Sequence, residues 1–321
     1  MVLLASVDGS SLESTLDLNL YVAGAESNVA IGLAHLGHDV EWFGRVGRDP
    51  FGARISRFLT NRGVTTSRVV VDDARPTGVY FKDQIDGRSD VYYYRAGSAA
   101  SASSRGDVAD LSIEHRRLCH VSGITAALSS SCDDLLQQVV VERQRSAVAV
   151  SFDVNYRPSL WEVGVAAPRL LELARASDIV VVGRDEADVL WSTGDADGVR
   201  ELLSNVPELV VKDAHRGATH YGPKGKTFVP ALPVDVVEAI GAGDAFAAGV
   251  LSGWLRGWGA VESLRLGHIM AAFTLQHVSD SPFLPEASLI LDLTKVSVEE
   301  WRNLQLVLQT ARPVATIPLN D

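Results

Sequence analysis

The sequence predicts an α/β fold: a mostly parallel sheet with helices on both faces. Helical and strand patterns alternate through most of the chain, as βα repeats require. The strand candidates AVAVSFD (147–153) and DIVVV (178–182) are short β-branched runs of the kind buried on both sides in parallel sheets. Size allows more than one layout. With 321 residues the chain exceeds the usual single domain of about 100–200 residues. One large α/β unit, such a unit with a small appendage, and two domains all fit. A hydrophobic content of 46% is enough for a sizeable core, and no repeat, low-complexity tract or Pro-rich linker interrupts the pattern.

Taken in order, AESNVAIGLAHLGH (25–38) reads as a helix with apolar Val29, Leu33 and Leu36 and a stop at Gly37. VEWFGRV (40–46) follows as one strand, and DPFGARISRFLTNRG (49–63) as a helix ending at Gly63. Further helical patterns occupy 130–145, 166–176, 185–192 and 244–257. His268 and His277 lie in an apolar helical stretch as packing or solvated residues. Trp254 continues the core stripe of Phe246 and Val250.

One region breaks the alternation. TGVYFKDQIDGRSDVYYYRAGS (77–98) holds Asp86-Gly87 between two period-2 segments, the signal of a two-residue hairpin turn. That turn pairs Ile85 with Arg88, Phe81 with Tyr92 and Tyr80 with Tyr93. Tyr80, Tyr93 and Arg95 then project from one face. Two tyrosines and an arginine so placed fit a lid over a polar ligand, and equally an ordinary edge hairpin with aromatic pairs.

Charge narrows the partners. Asp and Glu number 40 against 29 Lys and Arg, a net of −11, which argues against nucleic acid or an anionic membrane. An anionic small molecule stays open, because a few oriented amides and arginines make a local positive site. The two cysteines, Cys119 and Cys132, show no ligand spacing and suggest a reduced, intracellular protein without structural zinc. No apolar run approaches the ~18 residues of a membrane span and no signal peptide is evident, so a cytoplasmic protein is expected.

The chemistry concentrates in VVEAIGAGDAFAAG (236–249). Gly241-Ala242-Gly243 leads into a helix opened by Asp244. An acid in a first turn can simply complement the helix dipole. A dinucleotide-binding turn would need a third glycine where Phe246 stands, and a P-loop would need a following Gly-Lys-Ser/Thr. A third reading uses both features: the amides of Ala242, Gly243 and Asp244 face a phosphoryl group in transit while the carboxylate accepts the attacking hydroxyl's proton. On this reading the helix terminus should keep Asp244 ionised and a weak base.

GAGDAFAAG resembles the C-terminal signature of the ribokinase-like (PfkB-type) carbohydrate kinases, and VAGAESNVAIGLAHLGH with GRVGRDPFG resembles their N-terminal signature. The likeness spans roughly residues 20–285. Within that family, AESNVA, VYYYRAGSAAS, HVSGIT and SFDVNYRPSLW are similar to kinases of 2-dehydro-3-deoxygluconate (KDG). The resemblance implies a ribokinase-like three-layer αβα sandwich forming a single domain over 1–321. A β-hairpin lid would be inserted mainly from about 75–100, with 290–321 as an extra C-terminal segment. It implies ATP and Mg²⁺, and phosphorylation of the primary alcohol of an acidic keto-deoxy sugar. A kinase of a neutral sugar (fructokinase or ribokinase type) and a catalytically impaired sugar-binding homologue are the alternatives. Hairpins with exposed edges often pair between subunits, so a homo-oligomer joined through the lid is the expected assembly.

Residue by residue, the resemblance assigns Asp244 as base and Gly241, Ala242 and Gly243 as anion hole. Gly24 and Asn28 would hold sugar hydroxyls, and Tyr80, Tyr93 and Arg95 would be lid contacts. Arg157 would face the substrate's carboxylate, Glu186 the magnesium, and Lys212 and Gly217 the nucleotide. Independently, strand 147–153 should end near Asp153, which puts Asn155 and Arg157 where open α/β sheets bind ligands. Two arginines suit an acid sugar better than a neutral one. Without the family, Arg157 could be a surface residue before Pro158, and Glu186 a first-turn helix acid.

Four features depart from the family pattern. The family begins with a strand carrying Gly-Glu before a run like MVLLASVDG, whereas here the sequence starts at that run, so most of that first strand is expected to be missing. Gly183 stands three positions before Glu186, where Asn is usual. VKDAHRG has Ala214 for the first glycine of VKxGxxG. Glu238-Ala239-Ile240 replaces Asp-Thr-Thr before GAGD. At the far end, EEWRNLQLVLQ (299–309) reads as an extra amphipathic helix for packing or association.

Overall fold

The computed structural model describes residues 1–85, 88–108, 116–143 and 148–306. Strands β1 (Val2–Ser6) and β2 (Leu18–Val22) pair antiparallel. Next come two short parallel couples: β3 (Val40–Glu41) with β5 (Val64–Thr65), and β4 (Gly44–Gly47) with β6 (Val69–Asp72). VEWFGRV is thus two strands rather than one. A side chain at position 44 would run into the Trp42 ring, which folds over Gly44; the chain breaks there and changes partner.

β7 (Val79–Ile85) and β8 (Arg88–Tyr94) form the hairpin. Tyr80 pairs with Tyr93, Phe81 with Tyr92 and Ile85 with Arg88, the register expected from the sequence. The turn at Asp86-Gly87 lies outside the described residues. The hairpin does not stand alone: β1 runs parallel to β7, giving a small sheet in the order β2-β1-β7-β8. Two segments far apart in sequence therefore build what the sequence reading assigned mainly to 75–100. The run MVLLASVDG supplies one of its two inner strands.

The larger sheet comprises β9 (Leu118–Ser122), β10 (Ala149–Asp153), β11 (Ile179–Gly183), β12 (Glu208–Asp213), β13 (Gly217–Gly222) and β14 (Gly225–Pro230). β9 to β12 are parallel, while β13 and β14 extend the sheet antiparallel. Because successive side chains point to opposite faces, β11 divides its apolar run. Val180 and Val182 enter a core with Phe152, Leu170 and Leu173. Val181 packs on the other face with Phe246 and Ile269. Helix Val163–Ala176 covers the first face, and helices Ala242–Leu255 and Ala260–Leu275 cover the second. The result is the expected three-layer αβα sandwich.

Helices Ala242–Leu255 and Ala260–Leu275 can approach closely because Gly249 has no side chain; a Cβ there would lie 2.6 Å from the Gly267 nitrogen. His268 is buried between them and β14, bonded to the Val229 carbonyl at 3.1 Å. Further on, helix Val298–Asn303 is short, closed by a Ser297–Glu300 capping box, and seats Trp301 against the Pro230 carbonyl. The helical pattern read through 309 stops there; residues from 307 lie outside the described residues. Among the described residues, no helix is long and apolar enough to cross a membrane.

Candidate active site

A cavity of about 460 Å³ opens where the carboxyl ends of β10 to β12 face the small sheet. Such ends are where open α/β sheets bind ligands, since loops there are free of strand pairing. Of the residues singled out in the sequence, Gly24, Asn28, Tyr80, Tyr93, Arg95, Arg157, Glu186, Lys212, Gly241, Gly243 and Asp244 all line it. Ala242 and Gly217 do not.

Gly241 adopts φ 85°, and a Cβ there would lie 2.6 Å from the Asp280 carbonyl oxygen, so only glycine suits the turn. Helix Ala242–Leu255 starts immediately after it. First-turn amides have no intrahelical acceptor, which leaves those of Gly243 and Asp244 available to a ligand. Ala242 differs: its N–H turns back to the Ala239 carbonyl at 3.4 Å.

Asn28 donates its side-chain amide to Asp244 Oδ2 at 2.9 Å and accepts from Ser281 Oγ at 2.7 Å. Both ends of Asn28 are therefore engaged with protein, and it orients Asp244 from 216 positions away. The Asp244 carboxyl is pushed up to about 7, chiefly by burial and further by Asp153 and Asp280. The Asn28 hydrogen bond and Lys212 work the other way. This corrects the expectation of an ordinary weak carboxylate base: desolvation outweighs the helix terminus.

Lys212 is the penultimate residue of β12 and bonds Asp153 Oδ2 at 3.0 Å. Burial opposes its charge, but Asp153 and Glu186 raise its pKa on balance. Its Nζ lies 3.5 Å from where a Gly243 Cβ would sit, so the ammonium borders the amide turn. Glu186 folds back on its own helix, accepting from the Gly183 N–H at 2.9 Å. Its other oxygen lies 3.7 Å from Arg157 Nη1. Burial raises the Glu186 carboxyl, against the influence of Lys212.

At the small sheet, Tyr80 and Tyr93 stack with ring centroids 5.4 Å apart. The Arg95 guanidinium lies 4.2 Å from the Tyr93 centroid. Arg95 is buried, and its Nε has no hydrogen-bond partner. Burial lowers its pKa, with the Arg157 charge adding to that effect and Tyr93 opposing it.

Gly217 begins β13 against Val229 and Pro230 of β14; a close strand approach demands its glycine. Ala214 takes φ 44° and Asn155 φ 40°. Two non-glycine residues in the left-handed region thus flank one pocket, a concentration of strain common at functional sites. Sequence reasoning missed two carboxylates here: Asp153, and Asp280, which accepts from the Tyr80 hydroxyl at 2.9 Å. The end of strand 147–153 could have flagged Asp153. Asp280 sits in an aperiodic loop that gives no such signal.

An αβα sandwich with a cavity at its strand ends, where free amides sit among cations and carboxylates and a small sheet contributes one wall, suits an enzyme that acts on a polar small molecule. The chain belongs to the pfkB family carbohydrate kinases, whose family model matches residues 5–287. A 2-dehydro-3-deoxygluconokinase from Bacillus subtilis is 34% identical over 82% of this chain and 83% of its own length. A 5-dehydro-2-deoxygluconokinase from Bacillus velezensis is 30% identical over 88% of each. The crystal structure of a PfkB protein from Polaromonas sp. JS666 superposes with a TM-score of 0.83 at 32% identity, covering 90% of this chain and 96% of that one. The protein is a carbohydrate kinase.

Proposed function

We propose that this kinase transfers the γ-phosphoryl group of ATP to the primary alcohol of 2-dehydro-3-deoxy-D-gluconate, giving the 6-phosphate. The carrying observation is one cavity that gathers guanidinium groups, the Gly241 turn and Asp244. Arg95 and Arg157 both line it, Arg95 with a buried Nε that has no acceptor and Arg157 with Nη1 3.7 Å from Glu186. The Gly241 turn, Lys212 and Asp244 line the same cavity. An acidic sugar bridges such a cavity: its carboxylate pairs with the guanidinium groups and its far hydroxyl reaches Asp244. The name of the Bacillus subtilis relative points to the same substrate.

Asp244 takes the alcohol's proton; a base poised near neutral pH suits that task. The Gly243 and Asp244 amides and Lys212 receive the charge spreading over the phosphoryl oxygens. Asn28 holds Asp244 in line. Tyr80 and Tyr93 wall the substrate and exclude water, which would otherwise compete as acceptor. Among the described residues no group of three or more His, Cys, Asp or Glu side chains could hold a metal by itself. A nucleotide-borne Mg²⁺ needs only one or two carboxylates plus water and phosphate, and Glu186 fits that need. The ion, when bound, offsets phosphate charge.

The test is a coupled ADP-release assay over neutral and acidic sugars, including 5-dehydro-2-deoxygluconate. Turnover on 2-dehydro-3-deoxygluconate should exceed that on fructose or ribose by at least ~10-fold in kcat/KM; equal turnover on fructose overturns the acid-sugar assignment. Arg157→Ala should raise KM for the acid sugar by about 10–100-fold, the size of a lost charge-assisted bond, with kcat nearly unchanged.

A further inference from the structure

Beneath the Gly241 turn lies an ion pair that the reaction does not use. Lys82 of β7 reaches Glu238, with side chains only 4% and 8% exposed. Glu238 is not a passive partner. Its Oε1 accepts the backbone N–H of Ala239 at 2.9 Å and of Ile240 at 3.2 Å, the two residues that lead into Gly241. Ala239 in turn accepts the N–H of Ala242. Asp280 stands on the other side of the turn, its backbone against Gly241, its Oδ2 bonded to Tyr80 and its buried Oδ1 without a partner. The Lys82 charge acts on Asp280 as well, favouring its ionised form. One ammonium from the small sheet thus serves two carboxylates that flank the turn.

Buried ion pairs rarely add net stability over an apolar pair of the same volume. What this pair can supply is placement. We infer that Lys82 is a positioning residue: a built-in cation that fixes the Gly241–Asp244 turn through Glu238 and ties its geometry to the seating of the small sheet. The inference rests on the reading of that turn as the phosphoryl-receiving site. Lys82 and Tyr80 project from the same face of β7, so the strand that walls the substrate also sets the turn. Seating of the sheet and alignment of the amides become one event.

Two variants test it. Lys82→Ala leaves a space bordered by carboxylates. Its kcat should fall by at least ~30-fold with KM for the sugar changed less than about threefold. Ammonium or methylammonium chloride should recover at least ~10-fold of that loss with saturation, while tetramethylammonium at equal ionic strength recovers none. A wild-type kcat, or a loss in a folded variant that no small cation recovers, overturns the inference. Should Lys82→Ala fail to fold, the double variant Lys82→Met/Glu238→Gln keeps the shape and the acceptor for the two amides but removes both charges. Its thermal midpoint should match or exceed wild type while kcat stays at least ~10-fold low; kcat within threefold of wild type overturns the inference. Asp244→Asn measured alongside separates the two claims. Its inactivity together with a fully active double variant defeats only the role of Lys82. Its full activity defeats the reading of the turn, and this inference with it.

Discussion

Two helices open onto the pocket with the same local plan, a glycine N-cap and an acid three residues on: Gly183 to Glu186 and Gly241 to Asp244. The outcomes differ. Glu186 has one more methylene and bends back to the N–H of its own cap at 2.9 Å. Asp244 is held outward by Asn28 at 2.9 Å, and its helix terminus keeps the left-handed Gly241 turn in place of a side-chain cap. One carboxylate closes its helix and leaves the other oxygen toward Arg157; the other leaves its amides open and lines the cavity. Side-chain length and one remote partner turn a single motif into a structural cap in one place and, in the other, a carboxylate free for the role of base that we propose.

The contrast breaks most completely with Asp244→Asn. Turnover should fall by about 10²–10⁴-fold, the range for a general base, with sugar affinity spared. The same variant gives a stability readout of opposite sign. Folding raises the Asp244 carboxyl from 3.8 to about 7, so between those values the native state holds more protons and the acid destabilises the fold increasingly as pH rises. Asparagine removes that cost. Its thermal midpoint should exceed wild type above pH 7, with the gain shrinking toward pH 4. In the wild type, kcat/KM should decline as pH falls through about 7.

A smaller effect should follow from Asn28→Ala. Its hydrogen bond lowers the Asp244 carboxyl, so its loss should move the acid limb of the kcat/KM profile to higher pH and reduce turnover at neutral pH by roughly 10-fold. An unshifted limb would remove Asn28 from the comparison. Least affected should be Glu186→Gln, which still accepts from Gly183. Stability should change by less than about 1 kcal/mol, kcat should hold, and the Mg²⁺ concentration for half-maximal rate should rise several-fold in a magnesium titration.

The sequence carried much of this, unevenly. The hairpin register was legible because Asp-Gly is the sequence signal of a two-residue turn, and Tyr80 indeed lies opposite Tyr93. The split of β11 between two cores was implicit in its unbroken valine run. Local motifs placed Gly241, Gly243 and Asp244 at one helix start. What local pattern cannot show is who stands across the fold. Asn28 meets Asp244 across 216 positions and Tyr80 meets Asp280 across 200, and burial of that cluster reversed the expected acidity of Asp244. Lys82 did leave a trace: a charge on the face of β7 that also carries buried Tyr80. An inward lysine in an alternating strand asks for a buried partner, and nothing nearby in the sequence identifies Glu238.

The weave of the small sheet bears on synthesis. β1 and β2 lie within the first 22 residues, yet the parallel neighbour of β1 begins only at Val79. A ribosome delivers Val2 and Leu3, both fully buried in the finished fold, long before that neighbour exists. The nascent hairpin therefore carries a bare, greasy edge through several seconds of translation, at about 5–20 residues per second. Unpaired edges of this kind invite wrong partners, so a holding chaperone has something to gain at the β1–β2 hairpin.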